Sequence, residues 1–198
     1  RQALGSISLA YFDLHSDLNV PESMSDGALD WMALGHMLAI EGSHPAVAAA
    51  AGREPVITPD QIVLIGQERS RSTKFERLQI DKLDLPVIAV DEVRTDPQAA
   101  ARRALDLLAA RADRYAIHLD VDVVDFTDAP LSEHPSRNVG LKLDEMFSVL
   151  EVLASGPGLV GITLTELNPH NAASDEGLLD RFAARFAAAV SRPADGQR

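Results

Sequence analysis

Five short runs of the chain are apolar over most of their length: Ile7 to Phe12, Ile62 to Gly66, Val87 to Val90, Tyr115 to Leu119 and Leu159 to Leu164. Strands with so little polar alternation are expected in a parallel sheet covered on both faces. Between them, Gly27 to Ile40, Ser72 to Leu83, Pro97 to Arg111, Leu143 to Leu153 and Glu176 to Val190 read as helices. Pro97 suits a first helical turn, and Ala100, Leu105, Leu107 and Leu108 give that helix a packing face. Asp175 and Glu176 suit the acidic start of the last helix, which ends before Pro193. Ser191 to Arg198 reads as a frayed tail. Repeated alternation of strand and helix predicts an α/β fold with a mostly parallel sheet.

Composition narrows the picture. A length of 198 residues with 46% hydrophobic content supports one domain over 1–198 and not two large ones. No apolar run approaches the roughly 18 to 20 residues that span a bilayer. Arg1 to Ala10 lacks the pattern of a signal peptide and reads as a chain entered midway. The absence of cysteine excludes disulfides and thiolate metal sites, and suits a cytoplasmic setting. Eighteen Lys and Arg against 30 Asp and Glu leave a formal charge of −12. That balance argues against nucleic acid or an anionic membrane as partner and favours cations.

Candidate chemistry sits where three apolar strands stop. Asp13, His15 and Asp17 are spaced by two, so an extended backbone points all three the same way. Asp120 and Asp122 share a face after Tyr115 to Leu119, and Glu166 closes Leu159 to Leu164. A lone Asp-x-Asp after a strand is more often a cap or a solvated loop. Several carboxylates converging at the carboxyl ends of a parallel sheet instead require compensation by a bound cation. One imidazole among hard oxygen donors suits Mn²⁺ better than a structural zinc.

The ordered segments resemble those of the ureohydrolase (arginase and agmatinase) family. Asp13-Leu14-His15-Ser16-Asp17-Leu18-Asn19 is similar to its Asp-Ala-His-x-Asp motif. His118-Leu119-Asp120-Val121-Asp122-Val123-Val124-Asp125 resembles its Ser-x-Asp-x-Asp-x-x-Asp-Pro motif, with Phe126 replacing the proline. Glu166-Leu167-Asn168-Pro169 resembles its Glu-Val-Asn-Pro, and Gly66 to Arg69 its Gly-x-Arg strand end. The resemblance implies a three-layer α/β/α fold and a binuclear manganese centre. Asp13 and Asp120 would bridge the ions, His15 and Asp122 would complete one, and Asp17 would serve the other. Glu166 would receive a guanidinium group, hydrolysis would release urea, and a homo-oligomer is implied.

The chain departs from the family pattern in three places. The family supplies a further histidine from an upstream Gly-Gly-Asp-His motif, and the chain begins beyond that point. It is therefore read as a divergent member covering the C-terminal two-thirds of the fold, with one or more N-terminal strands missing. Aligning Gly27 with the glycine of the family's Ser-Gly-Asn-Leu-His-Gly-Met places Asp30 where a proton-shuttling histidine is expected. An aspartate beside two cations stays ionised and is a poor acid, so Asp30 either has its own catalytic role or marks a metal-binding pseudoenzyme. His36, six residues further on, is expected on a helix surface or at an interface. Asn19 and Asp26 are the expected substrate contacts, and an acid at Asp26 would repel an α-carboxylate. A guanidino compound with a neutral or cationic tail is thus expected in preference to L-arginine. A one-zinc deacetylase ranks last, because both tyrosines, Tyr11 and Tyr115, lie inside predicted strands.

Other residues have plainer readings. Asp125 is expected to fix its loop through backbone hydrogen bonds, and His44 to be exposed. His134 and Arg137 either reach the site or face water, and Trp31 packs at an interface or forms a pocket wall.

Overall fold

The computed structural model describes residues 6–191, so the expected frayed tail from residue 192 onward lies outside the described residues. All five apolar runs form strands: β1 Ser8–Phe12, β2 Ile62–Gln67, β3 Val87–Ala89, β4 Tyr115–Asp120 and β5 Leu159–Thr165. They make one parallel sheet in the order β3-β2-β1-β4-β5. The helices are α1 Ala33–Met37, α2 Pro45–Ala48, α3 Lys74–Leu83, α4 Val90–Thr95, α5 Pro97–Ala109, α6 Leu143–Ser155, α7 Pro169–Ala172 and α8 Leu178–Val190.

Alternation along each strand divides the core into two. Ala10, Phe12, Val63, Ile65, Ile117 and Leu119 face a cluster built with α4, α5, α6 and α8. Leu9, Tyr11, Ile62 and Leu64 face the opposite way, against Leu34 and Leu38 near α1 and Ile80 of α3. The result is a sheet between two helical layers. No helix among the described residues is long and apolar enough to cross a membrane.

The strand order places the site. From β1 the chain adds β2 and β3 on one side, then returns to lay β4 and β5 on the other. Successive crossovers therefore leave β1 in opposite directions, and a crevice opens between the carboxyl ends of β1 and β4. Ligands of open α/β sheets bind at such a reversal.

Several elements differ from expectation. Gly27 to Ile40 is not one helix: a 3-10 turn, Leu29–Met32, precedes the short α1, and Gly27 and Ala39 have φ of 70° and 49°. Val90 starts a helix instead of ending β3, with Asp91 and Glu92 at the positive end of α4. The last helix begins after Gly177 (φ 77°), while Asp175 outside it pairs with Arg181 at 3.0 Å. β5 is not covered on both faces. Among the described residues it has one neighbouring strand, and Val160 is 38% exposed.

Gly35 makes the broken helix useful. Its N–H donates to Asp17 O at 3.0 Å, and a Cβ there would lie 2.4 Å from Asn19 O. The helix thus presses its backbone onto the segment that follows β1. Gly35→Ala is expected to lose about 1–3 kcal/mol by overpacking, even though alanine favours helix. Urea denaturation tests this, and unchanged or increased stability would show that the two segments are not clamped.

Candidate metal centre

Asp13 continues the sheet one step past β1, donating its N–H to Ile65 O at 3.0 Å, and its Oδ1 accepts from His15 N at 2.6 Å. Beyond it the loop is fastened to the start of α3. Thr73 caps that helix, accepting from Glu76 N at 3.1 Å, while Glu76 Oε2 accepts from Thr73 N at 2.7 Å. The other oxygen of the buried Glu76 carboxylate accepts from Ser16 Oγ at 3.1 Å. Asn19 Oδ1 accepts from Thr73 Oγ1 and from Ser23 Oγ, each at 3.0 Å. A capping box thereby anchors the loop carrying His15 and Asp17. Asp17 has φ 47°, a region that non-glycine residues enter only when their surroundings over-determine it.

Asp120 closes β4. Its Oδ1 accepts from Asp122 N at 2.9 Å, and its Oδ2 accepts from Thr165 Oγ1 at 2.8 Å. Asp122 sits in the 3-10 turn Val121–Val123, with Oδ2 2.8 Å from His15 Nδ1. The loop behind is stapled by Asp125 as expected: Oδ1 accepts from Thr127 N at 2.9 Å, and Oδ2 from Val139 N at 2.8 Å and Gly140 N at 3.2 Å. Burial would raise the Asp125 carboxyl, but these bonds outweigh it and hold the group below the ordinary aspartate range. Glu166 follows β5 with φ 60°, and its Oε2 accepts from His134 Nδ1 at 2.7 Å.

These side chains line one cavity of about 200 Å³. That is smaller than the roughly 300–1,000 Å³ of common small-molecule pockets and suits a small polar substrate. No Lys or Arg is among its lining residues. Burial first, and then the charges of Asp17, Asp122 and Asp120, push the Asp13 carboxyl well above the ordinary range. Burial likewise raises Asp17 to about 7 and Asp120 to about 8. His15 is raised because its bond to Asp122 and the nearby carboxylates outweigh burial, which acts to lower it. Burial lowers His118 to about 4.

The residues fit divalent cations. Asp122 Oδ1 is buried and meets no hydrogen-bond donor, in a site lined by several acids and imidazoles and by no Lys or Arg. Donor atoms of Asp13, His15 and Asp122 lie within 4.8 Å of one another, as do those of Asp13, His118 and Asp120, and those of Asp120, Asp122 and Glu166. Carboxylate and imidazole donors without thiolate are the set that suits manganese.

The sequence-derived residues divide accordingly. Asp13, His15, Asp17, Asp30, Asp120, Asp122 and Glu166 all line the cavity. Asp17 joins none of the compact donor groups, and its Oδ2 accepts from Tyr11 Oη. Asp30 is exposed at the mouth, where its carboxylate, His134 and Glu166 lie within 4.8 Å of one another. Asn19 is fully buried and outside the cavity lining, holding the loop instead. Asp26 is exposed, away from the lining, and its Oδ1 accepts from Ala28 N at 3.1 Å. His36 is not on a surface: it is 4% exposed, with Nδ1 bonded to Met32 O at 2.8 Å. Arg137 covers Phe126, 4.5 Å from the ring centroid. Trp31 forms the pocket wall, its ring 5.2 Å from that of His15 and 6.2 Å from that of His134. Tyr11, His118 and Thr165, which also line the cavity, were not singled out in the sequence. His118 shares β4's face with Asp120, a period-two relation that the strand assignment already contained.

The arginase family model matches residues 1–192. The arginase of Bacillus caldovelox is 29% identical over 164 residues, which is 82% of this chain and 53% of that protein. The chain spans about half the length of the curated relatives it matches. A crystal structure of arginase from Bacillus subtilis superposes with a TM-score of 0.84 at 24% identity, covering 98% of this chain and 64% of that one. Formimidoylglutamase from the same species superposes with a TM-score of 0.75 at 18% identity, covering 96% of this chain and 53% of that one.

Metal ligands must be ionised or neutral bases, so a cation bound among these acids would displace the protons held by Asp17 up to about pH 7 and by Asp120 up to about pH 8. Mn²⁺ affinity is therefore expected to rise with pH through that window, with proton release. Calorimetry in two buffers of different ionisation enthalpy checks this, and identical heats at about pH 6.5 would contradict it. Because the folded values are raised, the stability these groups contribute is complete below the ordinary aspartate value. It is lost as pH rises through about 7 and 8. Melting of the metal-depleted chain should fall over that range, and Asp120→Asn should flatten the slope.

Proposed function

The chain belongs to the arginase family, and on that premise we propose that it is a manganese-dependent hydrolase of a carbon–nitrogen bond in a linear guanidino or amidino compound, releasing urea from guanidino substrates. The observation that carries this reading is the meeting of Asp13, His15, Asp120, Asp122 and Glu166 in one small cavity at the sheet's reversal. Asp13, His15, Asp120 and Asp122, with Asp17 at their edge, would hold the ions. Bound there, divalent cations supply Lewis acidity and make water acidic enough to act as a nucleophile near neutral pH.

The chain's own residues then bind and protonate. Glu166 Oε2 is taken by His134, so Oε1 is the oxygen left to receive a guanidinium N–H. Trp31 offers the adjacent wall, against which a planar cation packs. The lining has no Lys or Arg to receive a carboxylate, and Asp30 lies at the mouth. A substrate with a neutral or cationic tail therefore suits the site better than L-arginine. The departing amine also needs a proton, which His134 is placed to give. Burial lowers the His134 imidazole, yet its bond to Glu166 and the charges of Glu166, Asp30 and Asp122 outweigh this and raise it. His134 is thus the proton carrier for the departing amine, and Asp30 acts through it.

With Mn²⁺, agmatine, 4-guanidinobutyrate or a related compound should yield urea faster than L-arginine does. If the metal-loaded protein cleaves none of them, the chain is a metal-binding pseudoenzyme of this fold. His134→Asn should lower kcat by about 10²- to 10⁴-fold, the usual contribution of a general acid. Asp30→Asn should move the alkaline limb of the kcat profile to lower pH, because it removes a charge that keeps His134 protonated. An unmoved limb would separate Asp30 from proton transfer.

A further inference from the structure

His118 stands where the family motif carries serine, and its surroundings are those of a ligand. It lies on β4 two residues before Asp120 and directly across from Tyr11 of β1, so its side chain emerges on the face that ends in the carboxylate cluster. The ring stacks on Tyr11 with centroids 4.3 Å apart and planes 13° from parallel. Nδ1 lies 3.1 Å from Thr163 Oγ1 on β5. A hydrogen donated there fixes the tautomer and leaves the Nε2 lone pair on the other side of the ring. Thr165 Oγ1 is 3.5 Å from Nε2 but spends its hydrogen on Asp120 Oδ2 at 2.8 Å, so it cannot occupy that lone pair. Metal-binding histidines are oriented in this manner, one nitrogen donating to a neighbour and the other turned inward.

The donor groups show a division of labour. Of the four groups, two share Asp13: Asp13, His15 and Asp122 form the first, and Asp13, His118 and Asp120 the second. Each has one imidazole and one carboxylate from the end of β4, and Asp13 belongs to both. Asp17 joins neither set, and its Oδ2 accepts from Tyr11 Oη. The unpartnered, buried Asp122 Oδ1 independently marks the cluster as short of positive charge.

We propose that His118 Nε2 is the nitrogen ligand of the second ion, beside Asp13 and Asp120, so that this chain supplies one imidazole to each metal from β4 and the loop after β1. The assignment rests on the two-metal reading of the cavity. It makes the second site a product of this chain's own sheet, with Tyr11 and Thr163 as positioning residues that fix the ring.

Metal titration with Mn²⁺ separates the possibilities. The wild-type chain should bind two ions, read by calorimetry and by elemental analysis after gel filtration. His118→Ser, which installs the family's residue, and His118→Asn, which retains a planar group against Tyr11, should each keep one tight ion. Each should weaken the second by at least about 10- to 100-fold, the loss caused by removing even an outer partner of a metal ligand. Trp31 fluorescence and far-UV circular dichroism report whether the variants are folded. Thr163→Val should weaken the same ion less. Two tightly bound ions in a folded His118 variant would overturn the assignment and leave the binuclear reading standing. A wild-type chain that binds no Mn²⁺ would remove both.

Discussion

Mutual repulsion among carboxylates at the ends of β1 and β4 is the constraint around which the rest of the molecule is arranged. Asp13, Asp120 and Asp122 are each less than a tenth exposed, with Asp17 beside them and no lysine or arginine in the cavity. A fold acting for stability alone would separate such groups or pair them. Here two strands that are neighbours in the sheet bring them together, because the reversal of strand order makes β1 and β4 adjacent although about a hundred residues part them in sequence.

Holding that arrangement falls to groups just outside it. The Glu76 carboxylate closes the N-terminus of α3 and at the same time receives Ser16, so helix capping and loop fixation share one side chain. Gly35 allows α1 to approach the backbone of Asp17 and Asn19. Asp125 gathers three backbone N–H groups and so fixes the return of the chain behind Asp122. Asp17 and Glu166 sit at unfavourable positive φ, which these supports make tolerable and which aims both carboxylates into the crevice. Stability is thus moved outward, to a ring of hydrogen bonds that surrounds an electrostatically unfavourable centre.

Much of this was legible in the sequence. All five strands were, since short apolar runs between helical stretches say where strands lie, although Val90 starts a helix instead of ending β3. The carboxylates at the strand ends were legible for the same reason. Residues whose role depends on register were harder to see. His118 becomes significant through its pairing with Tyr11, and His134 through a fold that carries it back to Glu166, 32 positions away. Asn19 and Asp26 matched a pattern, while in the fold Asn19 Oδ1 holds the loop and Asp26 Oδ1 accepts within a local turn. His36 looked superficial because helical rotation was counted along a helix that in fact breaks at Leu29–Met32.

The two halves of the cavity differ in how firmly they are embedded. Asp13 and Asp120 end strands flanked on both sides, whereas His134 reaches Glu166 from a loop and is partly exposed. Alterations at His134 therefore meet solvent on one side, while alterations at the buried Asp13 meet packed neighbours. The rim of the site is thus the part open to revision, with the buried acids left as they are.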